Sequence, residues 1–225
     1  MTKAKLSNRI DHLFKGCEWE KARRLLATER NKEPENHWLL TQLGVTFYEQ
    51  RRYEEALTLF VESQQIVADC PLTLWNLAGT LDAIADYPKA IQIYTWLVEN
   101  ESSPDQDPCW ESKSWADELK TDCVYRLGSC YQQLGKTGPA ERCYHQYLNL
   151  LSMGIQGLYS VEDVMRELGE LHGNGKNGAA ELELRKVAEV ALQASGLKPR
   201  KGRRNALPEF DMADMLSGSG VASKG

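Results

Sequence analysis

Apolar side chains recur along most of the chain at intervals of three and four residues, which brings them to one face of an α-helix. Leu40, Leu43 and Phe47 form one such stripe. A polar turn follows at residues 50–52, and a second stripe begins at Ala56. The same order of stripe, turn and stripe recurs downstream, so the pattern predicts an all-α chain built from pairs of helices.

One set of positions returns every 34 residues. Ala22, Ala56 and Ala90 are 34 residues apart, and Ala140 follows after 50, which is one period plus an insertion of 16. A large side chain stands four positions after each alanine, at Leu26, Phe60, Tyr94 and Tyr144. A leucine followed by a small residue precedes the later alanines, at Leu43–Gly44, Leu77–Ala78 and Leu127–Gly128. Because small residues let two helices approach closely and large ones fill the gap beside them, the repeat predicts tightly packed helix pairs.

This helix–turn–helix pattern, with its leucine–glycine pair and its later alanine–aromatic pair, resembles the tetratricopeptide repeat (TPR) family. Unit one departs from the family pattern, since Ile10 replaces the glycine and Leu13 replaces the aromatic residue. The resemblance implies an all-α fold, a right-handed α-solenoid of stacked helix-turn-helix units. It covers residues 3–154, with units at 3–36, 37–70, 71–104 and 121–154 and an insertion at 105–120.

Residues 159–196 carry a weaker form of the same pattern. Leu168–Gly169 repeats the leucine–glycine signature, residues 173–178 are a glycine-rich breaker, and residues 179–194 are amphipathic. We expect either a degenerate fifth unit or a capping helix pair here, because the end of a solenoid needs its apolar face covered.

Residues 197–225 lack the helical repeat pattern and have a different composition, and we expect them to form a flexible tail. The basic sequence KPRKGRR at residues 198–204 is compatible with a solvated linker, an address signal or a nucleic-acid contact. The acidic and apolar sequence LPEFDMADML at residues 207–216 is compatible with docking in a groove of a partner or of this chain.

Composition and charge narrow the class of protein. A formal net charge of −5 disfavours nucleic acid as the main partner. No apolar run reaches the roughly 18 residues of a membrane-spanning helix, so a membrane role is not expected. The N-terminal segment lacks the apolar core of a signal peptide, so we expect a cytoplasmic protein. The six cysteines form no CxxC pair and are expected to be free thiols.

The sequence contains no recognisable motif for catalysis or metal binding. The four histidines are dispersed, with no HExxH sequence and no histidine–carboxylate pair at metal-ligand spacing. Cys123 and Cys130 are seven residues apart, which is a packing interval on a helix. We therefore expect no enzymatic activity, no cofactor and no metal.

In the TPR family, peptide ligands usually lie along the concave wall that the first helix of each unit forms, and the resemblance implies such a groove here. Its aromatic members would anchor an apolar segment or a partner helix. Alternatively, Trp38 and Trp75 only pack between units. The inner-wall residues on this basis are Trp38, Thr41, Gln42, Val45, Leu72, Trp75, Asn76, Asp122, Tyr125, Arg126 and Ser129.

Two of these residues, Asn76 and Arg126, match positions of the family's carboxylate clamp, which holds a C-terminal carboxylate. Thr41 and Val45 stand where a lysine and an asparagine are expected, and Asp122 replaces the second lysine. Because the carboxylate of Asp122 repels an anionic terminus, the sequence favours an aromatic groove over a clamp.

The sequence thus leads to the hypothesis of a non-enzymatic protein–protein interaction module, of the adaptor, assembly-factor or chaperone type, that binds a protein or peptide ligand. The alternative is a nucleic-acid-associated regulator that uses the basic KPRKGRR segment. The insertion adds Trp110 and Trp115, which either pack over a neighbouring helix or form a flap that contacts a partner.

Overall fold

The computed structural model describes residues 3–100 and 108–173. The expected helix at residues 179–194 and the tail at 197–225 lie outside the described residues. Within them the chain is helical, with no strand, which agrees with the predicted all-α class. The helices are α1 Lys3–Lys15, α2 Trp19–Arg30, α3 His37–Tyr48, α4 Tyr53–Ile66, α5 Pro71–Ala83, α6 Tyr87–Glu99, α7 Lys113–Gln133, α8 Thr137–Ser152 and α9 Val161–Leu171, with a short 3-10 helix at Pro108–Trp110.

These helices belong to two compact bodies. The N-terminal body contains α1 to α5, and the C-terminal body begins at Ala85 and contains α6 to α9. In both bodies, helices that follow one another along the chain pack side by side, as α3 does on α4 and α7 on α8.

The repeated glycines mark close helix contacts in both bodies. A Cβ atom placed on Gly44 of α3 would lie 2.4 Å from Cε1 of Phe60 on α4. A Cβ atom on Gly128 of α7 would lie 2.7 Å from Cε1 of Tyr144 on α8. Both distances are far below van der Waals contact, so each glycine forms a seat for the ring that the second helix presents. The close approach expected from the leucine–glycine and alanine–aromatic pairs is therefore present.

The first helix pair packs closely although it has no glycine at the corresponding position. Ile10 of α1 is 1% exposed and packs in a cluster with Leu6, Leu26 and Leu39. The branched side chain of Ile10 contributes apolar volume where the later units leave room for a ring. The departure of unit one from the family pattern is thus compatible with a packed helix pair.

Each turn inside a helix pair contains one residue with a positive φ, which the residue types do not indicate. One residue in each turn lies in the left-handed region, with φ values of 53°, 61°, 65° and 68° for Cys17, Arg51, Ala85 and Gly135. These positions follow the same 34, 34 and 50 spacing as the alanines. Only the last of them is a glycine, the residue that adopts this conformation at least cost.

Two serines begin helices in the C-terminal body. Ser112 accepts a hydrogen bond from the backbone N–H of Trp115 and caps α7, which starts eight residues before the expected unit boundary at 121. Ser160 caps α9 in a reciprocal arrangement with Asp163, in which each side chain accepts from the other residue's backbone N–H. Such caps satisfy backbone donors that the first turn of a helix leaves unpaired.

Candidate functional site

A buried cluster of hydroxyl groups joins three consecutive helices of the N-terminal body. Oγ1 of Thr41 lies 2.8 Å from Oγ of Ser63 and 2.8 Å from Oγ1 of Thr73, so α3, α4 and α5 meet at one point. Thr41 and Ser63 also donate to the backbone carbonyl of His37, over 3.0 and 2.9 Å. Thr41 is completely buried, so this expected inner-wall residue positions the helices and offers no surface to a ligand.

Other expected residues of the N-terminal body keep part of their surface. Gln42 of α3 and Leu72 of α5 are half-buried, and Trp38 is half-buried while it packs against the cluster of Leu6 and Ile10. Helical spacing places Trp38 and Gln42 one turn apart on α3. We call Trp38, Gln42 and Leu72 the accessible face of the N-terminal body.

The other inner-wall residues expected in the N-terminal body are buried. Val45 is 2% exposed and Trp75 is 9% exposed. Asn76 is fully buried, and its side-chain Nδ2 donates to the carbonyl of Leu72 over 2.9 Å. The amide that matched a clamp position is therefore bonded to its own helix.

In the C-terminal body the arginine that matches a clamp position is bound to the carboxylate one helical turn before it. Nε of Arg126 donates to Oδ2 of Asp122 over 3.0 Å, one helical turn away on α7. Asp122 is 1% exposed, whereas Arg126 is half-buried. A buried carboxylate held by its own arginine is a poor receptor for a second carboxylate, because the two anions repel each other. This geometry supports the sequence argument against a carboxylate clamp.

A tyrosine that the sequence analysis did not single out covers the expected anchor of the C-terminal body. The ring of Tyr159, in the connection between α8 and α9, stacks on Tyr125 with ring centres 3.5 Å apart and an angle of 11°. The hydroxyl of Tyr147 donates to the carbonyl of Tyr159 and accepts from its backbone N–H, each over 2.9 Å. Tyr125 is consequently only 7% exposed, and the connection from α8 to α9 is held against the face expected to receive a ligand.

Burial also governs the acid–base behaviour of this tyrosine cluster. Removal from water raises the pKa of Tyr125, Tyr144 and Tyr147 above the ordinary value for tyrosine. Their hydroxyls therefore stay neutral to a higher pH than an ordinary tyrosine hydroxyl does. Ser129, one helical turn after Tyr125 and Arg126, is half-buried and is the remaining expected ligand contact of α7.

The two tryptophans of the insertion differ in exposure. Trp110 is completely buried, its ring lies 6.4 Å from that of Trp115 in a T-shaped arrangement, and Nζ of Lys120 lies 5.1 Å from its ring centre. Trp115 is half-buried. The burial of Trp110 favours the packing interpretation for that residue, and only Trp115 has surface to offer a partner.

The described cysteines and histidines differ in their burial and in their neighbours. Burial raises the pKa of the Cys123 thiol well above its usual value, which keeps that thiol unreactive. The histidines are less dispersed than expected, since Nε2 of His145 and of His172 lie 3.9 and 3.4 Å from Oε1 of Glu141. The four-residue spacing of Glu141 and His145 places both side chains on one face of α8, and this spacing is the signal in the sequence for their contact.

Comparison with known proteins adds to this picture. Residues 122–150 match the sequence model of the tetratricopeptide repeat family. A comparison with curated protein sequences finds no match. No helix in the described part of the chain has the length and apolar character needed to cross a membrane.

Solved structures resemble the chain over most of its length. MamA from Desulfovibrio magneticus RS-1 is 13% identical with a TM-score of 0.59, covering 86% of this chain and 94% of that one. BtubC from P. vanneervenii is 14% identical with a TM-score of 0.62, covering 91% and 85%. YrrB, described as a TPR protein with an unusual peptide-binding site, is 15% identical with a TM-score of 0.54, covering 84% and 90%. Residues 122–150 are therefore similar to a tetratricopeptide repeat, and the chain has the all-α solenoid fold of these solved structures.

Proposed function

We propose that this chain is a non-enzymatic protein-interaction module that binds a peptide segment or a partner helix on the inner faces of its first helices. The observation that carries the proposal is the accessible face of the N-terminal body. Trp38, Gln42 and Leu72 keep exposed surface on α3 and α5, two helices that the buried hydroxyl cluster joins. A rigid face that combines an aromatic ring, an amide and an aliphatic side chain suits the apolar anchor of a protein ligand.

The chemistry of this face favours an apolar or aromatic ligand segment over a C-terminal carboxylate. The accessible face contains no cation, and Arg126 in the C-terminal body is already bonded to Asp122. The solved structure of YrrB, whose description includes a peptide-binding site, supports a peptide as the type of ligand. Adaptor, assembly-factor and chaperone roles all use a face of this kind.

A matched pair of charge substitutions tests the proposal. Leu72→Glu introduces a carboxylate on the accessible face, and Gln65→Glu introduces the same group on the exposed surface of α4. Wild type and both variants serve as bait in a quantitative pull-down from native lysate, and circular dichroism confirms that all three are folded. We expect proteins recovered by wild type and Gln65→Glu to be lost with Leu72→Glu.

The opposite result would remove the proposal: equal recovery by both folded variants places the contact elsewhere. A third variant that lacks residues 197–225 examines the tail in the same assay. Salt-sensitive oligonucleotide binding that disappears with this deletion would instead support the nucleic-acid alternative.

A further inference from the structure

One cysteine of the N-terminal body stands at the start of a helix, one period after a capping asparagine. Asn36 precedes α3, and its side-chain oxygen accepts a hydrogen bond from the backbone N–H of Leu39. Cys70 holds the position 34 residues later, directly before α5. Asparagine is among the residues preferred at such a position, whereas the sulfur of cysteine is only a weak acceptor. Helix capping therefore does not explain a cysteine at position 70.

The thiol of Cys70 lies beside an imidazole ring of the same body. Its Sγ atom and a ring nitrogen of His37, the first residue of α3, are within 4.8 Å of each other. Cys70 is 4% exposed, and His37 is half-buried. Thiolate sulfur and imidazole nitrogen are both ligands of soft and borderline metal ions. The starts of α3 and α5 thus bring two metal-binding side chains together.

The buried hydroxyl cluster fixes the residues that carry these two side chains. The carbonyl of His37 accepts hydrogen bonds from the hydroxyls of Thr41 and Ser63. Thr73, three residues after Cys70 on α5, lies with its Oγ1 atom 2.8 Å from Oγ1 of Thr41 and 3.2 Å from Oγ of Ser63. The cluster therefore holds the start of α3 against the start of α5. Ligands positioned in advance bind an ion more tightly, because less conformational freedom is lost on binding.

The distance between the two side chains suits a single ion. Bonds to zinc are about 2.3 Å long for a thiolate and about 2.0 Å long for an imidazole, so ligands on opposite sides of an ion lie about 4.3 Å apart. Bonds to Cu(I) are of similar length. Structural zinc sites usually have four protein ligands, whereas Cu(I) is stable with two ligands in a line and prefers thiolate. The pair of His37 and Cys70 therefore fits Cu(I) better than zinc.

We propose that His37 and Cys70 form a binding site for a Cu(I) ion. Cys70 binds as the thiolate and releases its proton to solvent, and His37 binds through a neutral ring nitrogen. The positive end of the α5 dipole favours the negative charge on the sulfur. A motif search does not find this pair, because 33 residues separate its members in the sequence. Binding of Cu(I) does not depend on the protein ligand of the proposed function.

Competition for Cu(I) between the full, reduced chain and bicinchoninate under exclusion of oxygen tests the site. The copper complex of bicinchoninate is coloured, so its loss of absorbance reports transfer of Cu(I) to the protein. We expect Cys70→Ser and His37→Gln each to weaken the affinity for Cu(I) at least about tenfold. Cys17→Ser and His12→Gln are matched controls at exposed positions and should keep the wild-type affinity. Circular dichroism confirms that all variants are folded.

X-ray absorption spectroscopy of the copper-loaded wild-type protein is a second measurement that needs no variant. We expect sulfur and imidazole nitrogen around the same copper ion. A copper environment of sulfur alone would overturn the proposal. Equal affinities of wild type, Cys70→Ser and His37→Gln would also overturn it, as would a loss of affinity in Cys17→Ser and His12→Gln as large as in the two site variants.

Discussion

The seat at Gly44 offers a quantitative test of how the helix pairs are packed. Gly44→Ala adds one methyl group whose carbon would lie 2.4 Å from Cε1, 2.8 Å from Cδ1 and 2.9 Å from Cζ of Phe60. Ordinary carbon contacts are about 3.5–4.0 Å, so the ring has to move by about 1 Å. Phe60 is completely buried, so that movement displaces other core groups.

Two opposing effects determine how much Gly44→Ala changes the free energy of unfolding. Overpacking of a well-filled core costs about 1–3 kcal/mol. Alanine recovers about 1 kcal/mol through its higher helix propensity. The free energy of unfolding should therefore fall by up to about 2 kcal/mol, and the melting temperature by about 2–4 °C for each kcal/mol.

Urea denaturation of a double-mutant cycle isolates the contact itself. Phe60→Leu removes the ring, so Gly44→Ala should cost clearly less in the Phe60→Leu background, with a coupling of about 1 kcal/mol or more. Gly138→Ala is the control, since its methyl group meets only the flexible end of Arg142, at 3.7 Å, and should be neutral or slightly stabilising. An unchanged or increased stability of Gly44→Ala, together with zero coupling to Phe60→Leu, would refute the packing argument.

Three further predictions concern other parts of the structure. Ser63→Ala removes one member of the buried hydroxyl cluster around Thr41 and should lower the free energy of unfolding by about 1–2 kcal/mol in urea denaturation, and an unchanged value would contradict the cluster. Arg51→Gly relieves a positive φ of 61° and should stabilise the protein by roughly 1 kcal/mol, and destabilisation would count against the turn geometry. Burial raises the pKa of Tyr144 and Tyr147, so their stabilisation is complete below the unfolded pKa of about 10 and is lost as pH rises beyond it, by up to about 1.4 kcal/mol per pH unit for each tyrosine. Tyr144→Phe and Tyr147→Phe should leave the rise in tyrosinate absorbance near pH 10 unchanged, and a smaller rise in either variant would contradict this assignment.

The helix pairs could be predicted because close helix packing requires small and large residues at fixed positions, and those residues recur with one period along the sequence. A glycine or alanine on one helix and a ring on the next must coincide in space, so Gly44 with Phe60 and Gly128 with Tyr144 report a contact directly. The left-handed turns follow the same period, but the sequence does not predict them. Arg51 and Ala85 stand at positions where a glycine would have indicated a positive φ.

The candidate site was less predictable, because position in a repeat does not reveal the neighbours of a side chain. Thr41 was expected on the inner wall, and its hydroxyl is instead enclosed by Ser63 and Thr73 from two other helices. Tyr125 was expected to anchor a ligand, and it is covered by Tyr159, which lies in a connection outside the repeat pattern. Contacts of this kind depend on three-dimensional packing that no single unit encodes.

Site-specific photo-crosslinking tests the central claim most directly. A photoreactive amino acid replaces Gln42 on the accessible face in one variant and Gln65 on the exposed surface of α4 in the other. The account predicts that illumination in native cells attaches a defined protein at position 42 and not at position 65. Equal crosslinking at both positions, or crosslinking at position 65 alone, would contradict the assignment of partner binding to the inner face of α3.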